Sequence, residues 1–358
     1  MNSRKYDIYQ FPECKDVVVS GDIHGDFNLL VNKICVQYQM QNTLVIVAGD
    51  CGFGFDKRGY YDNMVKRNAK RMNDANNWIV FIRGNHDNPA YFDGKSFKHK
   101  RFIAIPDYSV INACNHSILC VGGAISVDRT YRLEAWSKEQ QKRLRYGNTE
   151  DVDEFSLSYY WQNESPTYND EALTSILSEQ KLDIVITHTS PSFCELLSKE
   201  GLDKWIGNDK TLISDIQQER EVMNSLYETL KEHQQHVTHW CYGHFHQSWH
   251  SSIDGTLFKM LDIMELYAIN NFGLKTELQN HAQAEGIYAD IEDKIIMTQD
   301  TSTYYGQTAL KYLMNVSKKY RQIATEAIFE CLRLGYPLND MEISGKAREL
   351  LRKRNVIG

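Results

Sequence analysis

A chain of 358 residues with 42% hydrophobic and 24% charged residues has an ordinary globular composition, which excludes a disordered, fibrous or low-complexity protein. A net charge of −7 argues against nucleic-acid binding over the whole chain and leaves room only for a local basic patch. No apolar run reaches the roughly 18 residues of a membrane span, the start MNSRKYDIYQ lacks the apolar core of a signal peptide, and the 8 cysteines are scattered, so the expectation is a cytoplasmic protein with reduced thiols and no membrane contact.

The first element predicted along the chain is a strand in VVVSGDIHGDFNLL, residues 17–30, where Val17, Val18 and Val19 read as buried on both faces. Asp22 and His24 follow with a spacing of two, which points both side chains the same way, and Gly21 and Gly25 let the backbone turn sharply. Read alone, this is equally an Asx turn followed by a chance histidine. FNLLVNKICVQYQ then has helical periodicity. TLVIVAGD, residues 43–50, is a second strand ending in Asp50, residues 62–73 read as a helix, and WIVFIRGNHD, residues 78–87, is a third strand ending in Asn85, His86 and Asp87. SVINACNHSIL pairs as a hairpin with the apolar run that Gly122 and Gly123 end, and Asp128, Arg129 and Arg132 follow in a loop. The charged residues 137–154 read as a solvated helix and loop, and the aromatic SLSYYWQNESPTY, residues 156–168, as packing under an insertion at about 126–170. LDIVITHTSP, residues 182–191, is a fourth strand ending in His188, and HVTHWCYGHFH, residues 236–246, a fifth ending in His244 and His246. Closing strands turn at Asp254-Gly255.

These boundaries place one domain at 1–270, a polar connecting segment at 271–303, and a helical appendage at 304–358 that docks on the domain or serves oligomerisation. Its basic end, Arg352, Lys353 and Arg354, complements a helix dipole or contacts nucleic acid or a partner.

Two Asp, one Asn and four His thus stand at the ends of five β-like runs, where an open α/β sheet places its ligand crevice. Oxygen and imidazole donors without thiolate suit Zn, Mn or Fe. Seven ligands exceed one four-coordinate ion. With one carboxylate bridging, they suit two ions roughly 3.5 to 4 Å apart, a pair that activates water and clamps a displacement at phosphorus.

In chain order, GDIHG, GD at 49–50, GNHD at 84–87, His188 in THTSP and GHFH at 243–246 resemble the five blocks of the calcineurin-like metallophosphoesterases. The resemblance implies an α/β fold, a four-layer α/β/β/α sandwich, with a dinuclear site at the strand ends. It implies that Asp22, His24 and His246 hold one divalent transition-metal ion, Asn85, His188 and His244 a second, and that Asp50 bridges. By the same resemblance His86 contacts phosphate and acts as general acid. The second block departs from the protein phosphatases, since Phe53 and Gly54 stand where an Asp and an Arg belong, and Phe53 cannot replace the tyrosine ligand of the purple acid phosphatases. The phosphate-gripping cation is therefore sought in GGAISVDRTYR, a stretch similar to one in uncharacterised bacterial and phage-borne members of the family, where Arg129 or Arg132 either forks onto the phosphoryl oxygens or belongs to a surface salt-bridged loop. Arg83 reads as packing or as support for a ligand. The expected function is a dinuclear metal-dependent phosphoesterase hydrolysing a phosphate mono- or diester by attack of metal-bound hydroxide. The alternatives are a nuclease or nucleotide phosphodiesterase acting on nucleic acid, and a non-catalytic metal-binding scaffold of the same fold.

Overall fold

The computed structural model describes residues 5–145, 154–194 and 202–269, together with Lys346 and Glu349. The apolar runs form the strands they predict. β2 (Asp16–Ser20), β3 (Thr43–Val47), β4 (Trp78–Phe81) and β5 (Phe102–Ala104) pair side by side in that order, all parallel. All five residues of β3 are buried, as a parallel strand covered on both faces requires. The helices α1 (Phe27–Asn32) and α2 (Arg58–Asp74) carry the chain back between these strands. Because the strands run the same way, the segments leaving β2, β3 and β4 emerge at one edge, and Asp22, Asp50 and Asn85 lie on them.

The second sheet takes the order β1 (Ile8–Phe11), β6 (Ser109–Ala113), β7 (His116–Val121), β8 (Ile184–Thr187), β9 (His239–Tyr242), β11 (Thr256–Met260), β10 (Trp249–Ile253). β7, β8, β9 and β11 are mutually parallel, and β10 closes antiparallel on β11 around Asp254-Gly255. The helices α4 (Asp170–Glu179) and α6 (Leu212–Glu232), the latter preceded by the short α5 (Leu202–Ile206), cover this sheet, placing Leu173, Ile176, Met223 and Leu226 against Val185, Trp240 and Phe258. Two sheets flanked by helices are the α/β architecture expected. The segments after β8 and β9 deliver His188, His244 and His246.

Three local readings are corrected. The helix expected through FNLLVNKICVQYQ breaks after Asn32 into a π-helical turn, Lys33–Gln37, which buries both Lys33 and Ile34 while the Lys33 ammonium donates to the Met264 carbonyl. The hairpin turns at Cys114 and Asn115, whose φ values of 52° and 64° suit a tight primed turn, so HSIL belongs to the return strand β7. Arg129 and Arg132 lie in no loop, because α3 (Arg129–Arg145) begins there. Its Leu, Glu, Gln, Lys and Arg content favours helix, and none of its residues is buried.

The chain divides into two compact units, Met1–Met264 and Glu265–Gly358. Of the second, the described residues are 265–269, including β12 (Leu266–Ala268), with Lys346 and Glu349. The connecting segment 271–303 and the remaining residues of the appendage lie outside the described residues, as do residues 146–153 of the insertion. Among the described residues no helix is long and apolar enough to cross a membrane.

Candidate metal centre

Asp22, His24, Asp50 and His246 meet at one edge of the two sheets, each offering a ligand atom within 4.8 Å of the others. The Nε2 atoms of His24 and His246 are 3.1 Å apart, and His246 Nε2 is 2.9 Å from Asp22 Oδ2. Asp22 is fully buried; its Oδ1 accepts from the His244 amide at 3.0 Å, while its Oδ2 meets no donor in good line. A buried carboxylate oxygen without a well-aligned donor, facing two imidazole nitrogens, is costly unless a cation lies among them. The donors therefore fit a metal ion.

A second group adjoins the first. Asn85 Oδ1 lies 2.9 Å from His188 Nε2 and 3.0 Å from His244 Nδ1, and Asp50 Oδ1 lies 3.3 Å from His188 Nε2. His188 Nδ1 is 2.7 Å from the Ala48 carbonyl, which places a proton there and turns the Nε2 lone pair toward Asn85 and Asp50. With Nε2 unprotonated, acceptors would face acceptors, an arrangement that needs a proton or a metal ion between them. Burial disfavours a charged His188 ring, but the Asp50 and Asp22 carboxylates outweigh it and carry its pKa up to about 9. Burial likewise opposes ionisation of Asp50, yet His86, His188 and His24 hold it well below the usual carboxylate range. Burial and the neighbouring His188 push His244 well below the ordinary histidine value, whereas the Asp22 carboxylate raises His246. Asp50 belongs to both groups.

Local backbone geometry serves this convergence. Gly49 has φ +95°, and a Cβ there would lie 2.2 Å from His188 Nδ1. His24, Asp50, His244 and His246 all occupy the left-handed region, with φ of 45°, 46°, 70° and 50°. Asp87, which the sequence reading leaves without a role, ties the loop after Asp50 in place. Its carboxylate accepts from the amides of Cys51 (2.9 Å), Gly52 (2.7 Å), Phe53 (2.9 Å) and Gly84 (2.8 Å).

His86 stands at the wall of an adjoining cleft of about 890 Å³, which is also lined by Arg132, Asp128, Phe245 and Ile213. Its Nε2 is 3.3 Å from Arg132 Nη2, 3.3 Å from Asn85 Nδ2 and 3.7 Å from Asp50 Oδ2. Burial lowers its pKa, Asp50 opposes that and Arg132 adds to it. Arg132 Nε donates to Asp128 at 2.7 Å, leaving the guanidinium end at the cleft. Arg129 faces elsewhere. It donates to Asp209 at 2.6 and 3.1 Å and to Asp215 at 2.5 Å, joining α3 to the start of α6. Arg83 donates to the carbonyls of Asn163 and Glu164 and to Asp107, which anchors the second half of the aromatic segment 156–168.

The calcineurin-like phosphoesterase profile matches residues 15–248, well over half of the chain and every residue of both donor groups. The chain belongs to that family. This calcineurin-like phosphoesterase is similar to the TT1561 protein of Thermus thermophilus, with 11% identity, 71% of this chain and 98% of that one covered, and a TM-score of 0.39. It is also similar to a phosphopantetheinyl hydrolase of Mycobacterium tuberculosis (11% identity, 69% and 90% covered, TM-score 0.31) and to a cold-active protein-tyrosine phosphatase of a psychrophilic Shewanella (13%, 74% and 77%, 0.30). No curated protein matches the chain.

Proposed function

We propose that this calcineurin-like phosphoesterase is a dinuclear metal-dependent hydrolase of phosphate mono- or diesters. The observation that carries the reading is the meeting of two donor groups at Asp50 beside a cleft that holds His86 and Arg132. Asp22, His24 and His246 would hold one ion, Asn85, His188 and His244 the other, and Asp50 would serve both. Ions held by these residues would supply Lewis acidity at phosphorus and a water of near-neutral pKa.

The chain's own groups do the rest. Arg132, steadied by Asp128, grips a non-bridging phosphoryl oxygen, while Arg129 is spent on Asp209 and Asp215 and supports α3 instead. His86 donates a proton to the leaving oxygen. A bound phosphate anion favours the protonated imidazole and so opposes the effect of its burial. The cleft beyond His86 receives the leaving group.

The test is a screen of nitrophenyl monoesters, nitrophenyl diesters and nucleotides on metal-stripped protein reloaded with Mn, Zn or Fe. Turnover that requires metal and reaches its maximum at two ions per chain supports the reading. Two bound ions with no turnover on any ester would leave the non-catalytic scaffold.

A further inference from the structure

Behind Asn85 lies a chain of hydrogen bonds that the roles above do not use. Asn85 Nδ2 donates to Ser126 Oγ at 2.8 Å, Ser126 Oγ donates to Glu164 Oε2 at 2.5 Å, and the Ser126 amide donates to Glu164 Oε1 at 2.9 Å. All three residues are at most 2% exposed. The polarity of this chain has a consequence for the ligand. Once Glu164 is ionised it has only lone pairs to offer, so the Ser126 hydroxyl proton points at Glu164 and the Ser126 oxygen accepts from Asn85. The amide end of Asn85 is thereby drawn toward Ser126, and its oxygen is left toward His188 and His244. A flipped carboxamide would bring a donor against the metal position and an acceptor against the Ser126 lone pairs.

We propose that Glu164 and Ser126 act as a positioning pair that fixes the orientation of the Asn85 carboxamide and so sets the affinity of the second metal position. A second buried glutamate steadies the same segment from the other side: Glu219 accepts from the Ile125 amide and from the hydroxyl of Thr189, the residue after His188. Burial without a metal ion pushes the Glu164 carboxyl up to about 8. Cations near Asn85 would favour the ionised form, so ion uptake and ionisation of Glu164 support each other. The role of the two glutamates is exerted through Ser126 and Thr189.

The inference rests on Asn85 being a ligand, and the experiment separates the two claims. Metal-stripped protein is titrated with Mn²⁺ and followed by electron paramagnetic resonance, which distinguishes a coupled pair from a single ion, while thermal unfolding is recorded in parallel. Wild type should take up two coupled ions. Ser126→Ala and Glu164→Gln should bind the first ion as wild type does and the second about 10-fold to 100-fold more weakly, as expected for lost support behind a ligand. Glu164→Gln preserves shape and reverses hydrogen-bond polarity, whereas Ser126→Ala is the smaller change and guards against a folding defect. Wild-type affinity for the second ion in both variants overturns the positioning role. Equal weakening of both ions together with a lower unfolding temperature also overturns it, because that is the signature of general support for the fold. A wild-type protein that takes up no second ion refutes the dinuclear reading itself.

Discussion

Replacing Asp87 by alanine should cost this fold more than almost any other single side-chain removal near the metal centre. The substitution takes the acceptor from four backbone amides, those of Cys51, Gly52, Phe53 and Gly84, all in buried residues. A buried donor left unpaired costs about 1–3 kcal/mol, which gives a gross loss of about 4–12 kcal/mol. Two effects work the other way. Burial and the nearby Asp50 raise the pKa of Asp87 above the usual carboxylate value, so removing its charge relieves an unfavourable state, and water entering the vacated space satisfies some amides. The net loss should be about 3–5 kcal/mol, the range found when one partner of a buried charged cluster is deleted and a large share of the stability of a typical domain. Asp87→Asn should cost about half of that, since its remaining oxygen serves two amides while its NH2 confronts the other two. Urea unfolding of the metal-free protein, followed by tryptophan fluorescence, measures both without a contribution from ion binding. An Asp87→Asn variant as stable as wild type would refute the assignment of Asp87 as the anchor of the loop.

Arg132→Ala should lower kcat/KM by roughly 10-fold to 150-fold at unchanged metal content, since a charge-assisted bond is worth about 1.5–3 kcal/mol; Arg129→Ala should instead lower the unfolding temperature and leave metal content alone. Equal kinetic losses in the two variants would contradict the separation of their roles. His86→Ala should slow turnover by about 10²-fold to 10⁴-fold, as for a lost general acid, and the defect should shrink on esters with good leaving groups; a loss independent of the leaving group would assign His86 to positioning. Glu164 should make the metal-free protein less stable as pH rises. Its carboxyl moves from 4.5 to about 8 on folding, so the protonated form is the one the fold favours. Its contribution is complete below 4.5 and lost as pH passes about 8. The stability difference between wild type and Glu164→Gln should therefore fall across that window, and parallel curves in urea titrations would count against it.

The candidate metal ligands are legible in the sequence because each lies at the end of a run whose burial is itself legible. β3 is apolar at four of its five positions and buried at all of them, and Asp50 follows three residues later. The spacing of two in Asp22 and His24, and again in His244 and His246, survives as convergence of His24 and His246 on Asp22. What supports those ligands is less visible. Ser126 and Glu164 are 38 residues apart, and Arg129 finds Asp209 80 residues away, so no local pattern pairs them. Arg129 and Arg132 are one helical turn apart, and only the packing of α3 decides which of them reaches the cleft. Asp87 bonds to backbone amides, which every sequence possesses and none advertises.

The left-handed backbone at His24, Asp50, His244 and His246 bears on how this protein would respond to selection. An L-residue there is strained by about 1–2 kcal/mol, least for Asn and Asp and absent for Gly. The candidate donor atoms are thus held at some backbone cost to the metal-free fold. His246, with 43% of its side chain exposed, shows the trade most simply. His246→Asn should weaken the metal-loaded protein more than the metal-free one, because relief of backbone strain offsets part of the lost contact with Asp22, and unfolding curves recorded with and without metal ions measure the difference. Screens of this protein for thermostable variants, run without metal, would therefore tolerate loss of the candidate donors.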